Sequence, residues 1–201
     1  MNALDIARYF VAFLVLASYP LSLLLWLAIH PLAAFWRKLG PVWTYSLLGV
    51  PGAAYALGVW YLREPLLGVD LGANGSTIAG AGVSIVGALL INRQRRKQLS
   101  FGKLSGIPEL SREQYPGTLL TDGIYGRLRH PRYLEALLWV LAYALFANYV
   151  GAYLVLAFSL PVLYLVVILE ERELHERFGA AYEDYCRRVP RFVPKPRLRQ
   201  G

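Results

Sequence analysis

The chain has 201 residues, of which 56% are hydrophobic and only 17% charged, against about 25% charged in soluble domains. Its mean hydropathy is +0.40. The net charge is +8, but the basic residues stand between long apolar runs; that argues against a nucleic-acid-binding domain and for an all-α integral membrane protein. The single Cys186 excludes an internal disulfide. No Cys/His cluster has metal-ligand spacing, since His30, His130 and His175 lie far apart in the sequence.

The first apolar run, residues 9 to 30, is too long for a signal-peptide core and lacks a basic start, so it is expected to stay as a membrane span kinked at Pro20. A second span is expected over 41 to 62, with Pro51-Gly52 inside it, and a third over 76 to 92. Gly80, Gly82 and Gly87 in the third allow close helix packing. The segment RQRRK (93 to 97) follows directly and reads as an anchor on anionic lipid headgroups. Residues 98 to 129 form a polar connector rich in Gly and Pro.

Residues 133 to 169 are one apolar run whose only formal charge is Glu135. As a single helix it would be about 55 Å long, against a bilayer core of about 30 Å. It is therefore expected to fold back at ANYVG (147 to 151) into a helical hairpin. The total is then about five transmembrane helices. Beyond them, Leu174, Phe178, Tyr182 and Tyr185 share one helical face in an amphipathic C-terminal helix, in which Gly179 marks either a bend or a close approach and which Pro190, Pro194 and Pro196 end. On this reading 19 of the 21 Lys and Arg fall on one side and only Arg8 and Arg63 on the other. The positive-inside rule places the C-terminus and that side in the cytoplasm and the N-terminus outside.

The hairpin brings Arg129 and His130, before its first helix, beside Glu170 and Glu171, at the end of its second. An ion-pair clasp would account for Arg129 with either carboxylate. It would not account for Tyr125, Tyr133, Tyr182, Tyr185, Arg188 and Arg191 crowding the same place. Ionisable groups at that density, with aromatics among them, favour a polar ligand with an adenine-like ring, a cation and a carboxylate.

The segment LLTDGIYGRLRHPRYL, followed by EERELHERFGAAYEDYCRRVPRFVP, resembles the isoprenylcysteine carboxyl methyltransferase and phospholipid methyltransferase superfamily. The pattern maps onto Gly123, Tyr125, Arg129, His130, Pro131 and Tyr133, then Glu170, Glu171, Leu174, Phe178, Gly179, Tyr182, Tyr185, Arg188, Val189 and Pro190. The resemblance implies S-adenosylmethionine-dependent methyl transfer to a lipophilic acceptor, an isoprenylcysteine-type carboxylate or a phospholipid amine, arriving from the bilayer. It implies a single structural domain: three N-terminal spans in 1–97 and a catalytic core of connector, hairpin and C-terminal helix in 98–201. The cofactor site implied is Tyr125, Arg129, His130, Pro131, Tyr133, Glu170, Glu171, Tyr182 and Arg188, with Arg129, His130 and Glu171 as the catalytic set and no metal. Arg129 or Arg188 would hold a carboxylate, because a guanidinium fork suits it. Glu170 or Glu171 would take a ribose hydroxyl, an amino group or the arginine. His130 is a general base only if the acceptor needs deprotonation. Many relatives have glycine where this chain has Glu135, which is expected to face the hairpin partner or the acceptor.

A rival resemblance is to NADPH-dependent membrane reductases of the sterol C14-reductase type, which share an R-H-x-x-Y stretch and a Y-C-x-x-V-P ending like Tyr185-Cys186 to Pro190. They usually carry an R-D pair where this chain has Glu170-Glu171. A third reading is a non-catalytic membrane protein that keeps the scaffold and the clasp.

Overall fold

A computed structural model describes residues 2–97 and 118–193, with His30 and Ala33 described by their backbone alone. Most of the expected connector (98 to 117) and Pro194 and Pro196 lie outside the described residues. The described chain is helical, with one isolated β-bridge between Asp70 and Tyr149. Helix α1 (Ala3–Ile29) is followed by a 3-10 turn (His30–Leu32), α2 (Ala33–Leu39), α3 (Pro41–Tyr61) and α4 (Arg63–Leu67). Then come α5 (Gly75–Arg95), α6 (Pro131–Ala147), α7 (Val150–Phe178) and α8 (Ala180–Arg188).

Helices α1, α3, α5 and α7 are long and apolar enough to cross a membrane. At 17 residues, about 26 Å at 1.5 Å per residue, α6 is shorter than these.

The helix boundaries follow from local chemistry. Asn74 caps α5 by accepting the Ser76 N–H at 2.9 Å. Pro41 and Pro131 each open a helix, where a missing N–H costs nothing. Pro20 lies inside α1 and cannot donate to the carbonyl four residues earlier, that of Leu16. The Tyr55 hydroxyl on α3 donates to that carbonyl at 2.7 Å, so the gap in one helix is filled by its neighbour.

The turn expected at 147 to 151 is present: Asn148 ends α6 in the left-handed conformation, φ 54°, and α7 starts at Val150. The packing is not that of a simple hairpin, however. The most extensive contact of α6 is with α5, and α1 packs against both α6 and α7. On the α5 face, Leu138 and Leu145 approach Gly87 and Gly80 so closely that a Cβ at either glycine would lie 3.3 Å from a leucine methyl.

One end of the bundle is closed by Arg8, which is 1% exposed. Its Nε donates to the carbonyl of Ala147 at 3.0 Å, in the last turn of α6. Its Nη2 pairs with Asp70, and the guanidinium lies 5.4 Å from the Tyr149 ring centroid. A cation at a helix C-terminus also meets the negative end of the helix dipole. The opposite end gathers Arg37, Arg95, Arg129, Arg132 and Arg191 with Glu135, Glu171 and Glu173. The structure thus separates Arg8 from the main basic cluster, as the charge distribution along the chain requires.

Gly151 is the tightest point of the fold. A Cβ there would fall 2.1 Å from the Leu66 carbonyl oxygen and 2.5 Å from that of Leu67. Gly151→Ala is expected to destabilise the protein by about 2 kcal/mol. Gly49→Ala, at a site with nothing within 4 Å, should leave stability within about 0.5 kcal/mol. Thermal unfolding in detergent distinguishes the two, and equal midpoints would contradict the close α4–α7 approach.

Candidate active site

Before α6 the chain turns through residues 122 to 129, with Gly123 at φ 58°. Two backbone hydrogen bonds pin this turn to the tail: Arg129 N–H donates to Pro190 O at 2.9 Å and His130 N–H to Arg191 O at 3.2 Å. These two bonds tie the RHP segment to the VPR segment. Gly179, at φ 51°, separates α7 from α8, a conformation that favours glycine. The break turns α8 back so that Tyr182 and Tyr185, 1% and 3% exposed, pack with Leu174 and Phe178. The expected apolar face survives, carried by two helices instead of one.

Glu171 is the electrostatic centre of this end. Arg191 grips it with Nε at 3.1 and 3.0 Å and Nη2 at 2.7 Å. His130 Nε2 lies 2.9 Å from its Oε1, and Arg129 Nη1 lies 3.3 Å from the same oxygen. Glu170 approaches the other face of the imidazole, with Oε2 3.6 Å from Nδ1. Burial acts to lower the His130 pKa, but hydrogen bonds and charge from Glu170 and Glu171 outweigh it and hold the group above its ordinary 6.5. Both carboxylates thus favour the protonated form of the imidazole, Glu171 through a hydrogen bond and Glu170 through its nearby charge.

Beside this hub lies a cleft of about 160 Å³ lined by Tyr125, Arg129, His130, Pro131, Tyr133 and Glu170, with Tyr182 and Tyr185 across from them. Thr118, Leu119, Arg132 and Arg177 complete the rim. Arg129 Nη1 also donates to Cys186 Sγ, while its buried Nε has no hydrogen-bond partner. The Tyr185 hydroxyl donates to the Tyr125 carbonyl at 2.7 Å and ties α8 to the turn. Burial pushes the Tyr125 pKa up to about 12 and raises those of Tyr182 and Tyr185, so these hydroxyls stay protonated.

Seven of the nine residues assigned to the cofactor from the sequence line this cleft: Tyr125, Arg129, His130, Pro131, Tyr133, Glu170 and Tyr182. Glu171 stands behind it as the hub. Arg188 lies on the exposed face of α8, its Nε donating to the Asp184 carbonyl at 3.3 Å. Arg191, expected in the same crowd, joins Arg129 beside Glu171, whereas Arg188, expected as one of two candidates to hold a cofactor carboxylate, stays outside. The signal was available: Tyr182, Tyr185 and Val189 are spaced to face inward, which turns Arg188 outward.

Two other expectations are corrected. Glu135 faces neither α7 nor the cleft lining. It accepts from Arg95 Nε at 2.7 Å, from Arg95 Nη2 at 3.3 Å and from Asn92, all on α5. Consequently Arg95, read as part of a headgroup anchor, is buried at 4% exposure, whereas Arg93, Arg96 and Lys97 around it are exposed.

The fold and cleft define an integral membrane protein with a polar site where apolar helices end. The chain belongs to the phospholipid methyltransferase family, whose pattern it matches over residues 76–181, just over half its length. It is 38% identical over 80 residues to the protein-S-isoprenylcysteine O-methyltransferase of Schizosaccharomyces pombe, covering 38% of this chain and 33% of the relative. It is 33% identical over 112 residues to the Delta(14)-sterol reductase TM7SF2 of Mus musculus, covering 51% of this chain and 24% of the relative. It is 35% identical over 85 residues to the cobalt-zinc-cadmium resistance protein CzcN of Cupriavidus metallidurans, covering 42% and 39%. The chain thus spans between about a quarter and two-fifths of the length of these curated relatives. No solved structure matches it significantly. The family match begins within α5, and so takes in the helix that packs most extensively against α6.

His130 gives the site a defined pH response. Its folded pKa is raised above the unfolded 6.5, so its contribution to stability is complete below about pH 6.5 and is lost as pH rises through the folded value. The thermal midpoint should fall over that window in the wild type, and His130→Gln should remove the fall. An unchanged pH profile in His130→Gln would show that the imidazole is not held as the cation.

Proposed function

We propose that this protein is an integral membrane methyltransferase that uses S-adenosylmethionine to methylate a carboxylate on a lipophilic acceptor delivered from the bilayer. The observation that carries the reading is the cleft itself: Arg129, His130, Tyr133, Glu170 and Tyr182 come from three separated segments and converge, and the buried Nε of Arg129 has no hydrogen-bond partner. That donor set suits the cofactor. Arg129 would hold its carboxylate, Glu170 its amino group or a ribose hydroxyl, and the tyrosines its ring. At about 160 Å³, below the 300–1,000 Å³ usual for small-molecule sites, the cleft would hold only part of such a molecule.

The bound cofactor would supply an activated methyl group. The chain's own residues then need only orient donor and acceptor in line and exclude water. His130, whose protonated form is favoured by the two carboxylates beside it, suits a positioning role better than that of a general base. The buried tyrosines stay protonated. An acceptor that is already nucleophilic, such as a carboxylate, fits this set better than a phospholipid ammonium, which must first lose a proton. The cationic rim of Arg129, Arg132 and Arg177 also suits an anionic head.

A second, apolar cavity shares Tyr133 with the cleft and runs between α6 and α7, lined by Leu134, Leu137, Leu160, Leu163, Tyr164 and Phe192. We take it as the path of the acceptor's hydrocarbon chain. On this reading α6 completes a set of five spans, α8 lies on the cytoplasmic face with the cleft, and the N-terminus is outside, by the positive-inside rule. Residues 1–97 and 98–201 act as one domain, the exposed Arg93, Arg96 and Lys97 meet anionic headgroups, and no nucleic acid is bound.

The similarity to the sterol reductase supports one alternative, reduction with NADPH in the same cleft. Calorimetry on the detergent-purified protein separates the two. S-adenosylhomocysteine is expected to bind in the micromolar range and NADPH not at all, and the reverse would establish the reductase. Arg129→Ala should weaken S-adenosylhomocysteine at least about tenfold, a charged hydrogen bond being worth about 1.5–3 kcal/mol. Leu137→Trp should raise KM for a prenylcysteine acceptor several-fold without changing cofactor affinity; unchanged KM would remove the α6–α7 cavity from the acceptor path.

A further inference from the structure

A cavity of about 540 Å³ lies between α1 and α6, within the range usual for small-molecule sites. On α1 it extends from Val11 to Ser22, about 16 Å at 1.5 Å per residue. On α6 it is lined by Ala136, Trp139 and Tyr143 among others. Trp139 and Tyr143 stack with ring centroids 5.7 Å apart and form one flat wall. Ser18 and Ser22 bring hydroxyls to it, but each donates within α1, to the carbonyls of Leu14 and Tyr19. The walls therefore ask for hydrocarbon. Ser18, Ser22 and Tyr143 are exposed, so the cavity opens sideways, and beside a helix long enough to cross a membrane that side faces lipid. None of its lining residues lines the cleft or the α6–α7 cavity. A chain seated there is not led to the polar site.

The head of this cavity carries a charge. One further step of four residues along each lining stripe leads from Ser22 to Trp26 on α1 and from Ala136 to Arg132 on α6. These two meet, the guanidinium lying 4.3 Å from the Trp26 ring centroid. Arg132 thus stands over the end of the cavity nearest the cleft. Arg37, Arg95, Arg129 and Arg191 at the same end of the bundle each pair with a carboxylate. Among the described residues Arg132 instead meets the rings of Trp26 and Tyr133. A guanidinium without a carboxylate, set above a hydrocarbon-lined groove, matches a phosphate carried on an acyl chain.

We propose that the α1–α6 cavity is a site for one anionic phospholipid, with an acyl chain between the two helices and the phosphate on Arg132, separate from the path of the acceptor. The chain supplies van der Waals contact between α1 and α6, the interaction that holds helices together where the solvent is lipid. Arg132 also stands on the rim of the cleft, so the headgroup flanks the cleft mouth, and Arg129 and Arg177 remain there for an anionic acceptor.

The delipidated full-length protein in detergent is titrated with dioleoylphosphatidylglycerol and, separately, with dioleoylphosphatidylcholine. Bound lipid is counted by native mass spectrometry, and thermal midpoints are followed in parallel. One phosphatidylglycerol is expected to bind at least about tenfold more tightly than phosphatidylcholine and to raise the midpoint. Ala136→Phe, which fills the cavity, should lose that molecule. Leu137→Trp, which fills the α6–α7 cavity, should keep it. Arg132→Gln should abolish the preference for phosphatidylglycerol. Equal binding of the two lipids by the wild type, or undiminished binding in Ala136→Phe, would overturn the proposal. So would displacement of the lipid by a prenylcysteine, which would make this cavity the acceptor path. If Ala136→Phe does not fold, Ser22→Phe, at an exposed position on the edge of the cavity, replaces it with the same two outcomes. Lipid binding is read without cofactor, so its outcome is separate from the methyltransferase reading.

Discussion

The active end of this molecule depends on how a single buried carboxylate is neutralised. Glu171 sits at 7% exposure near the end of α7, where an isolated negative charge could not stay ionised. Arg129, His130 and Arg191 all reach it, and they come from the turn before α6 and from the tail after α8. Satisfying this one group draws together three segments that the sequence separates by some 20 and 41 residues. The RHP–VPR backbone pairing, the inward tyrosines of α8 and the cleft beside them all follow from that convergence. Removing one partner from such a buried cluster would leave charge uncompensated, which costs far more than an exposed pair contributes.

The opposite end obeys the same logic with the sign reversed. There Arg8 is the buried charge, and Asp70, the Ala147 carbonyl and the Tyr149 ring compose its environment. Between the two ends the described helices meet mainly through apolar and small side chains, with Tyr55 filling the place of the donor that Pro20 lacks. Polar interactions are thus concentrated where water or headgroups lie near, and the middle is left to van der Waals packing, as expected where lipid supplies no hydrophobic drive between helices.

The functional reading follows from what this arrangement permits. Two carboxylates beside His130 favour its cationic form, which suits the proposed role of orienting and balancing charge better than that of abstracting a proton. That suits transfer of an already activated group.

Much of this was legible in the sequence because it depends on near neighbours. The spans, the turn at Asn148, the break at Gly179 and the inward face of Leu174, Phe178, Tyr182 and Tyr185 follow from hydropathy and helical period, which a helix reads from its own residues. The meeting of Arg129 and His130 with Glu170 and Glu171 was legible too, since one tight turn forces the two helix mouths together. What the sequence alone determined, then, is a helical membrane protein with a charged site at one end. Which charge meets which was decided only in three dimensions. Glu135 turned to Arg95 on α5 and not to its hairpin neighbour or the acceptor side, and Arg191 joined Arg129 at Glu171 while Arg188 stayed on the outer face of α8. The physical reason is that a buried ion pair is specific to a few tenths of an ångström and degrees of helix rotation, set by which faces pack, and packing between helices distant in the sequence leaves no periodic trace in either one.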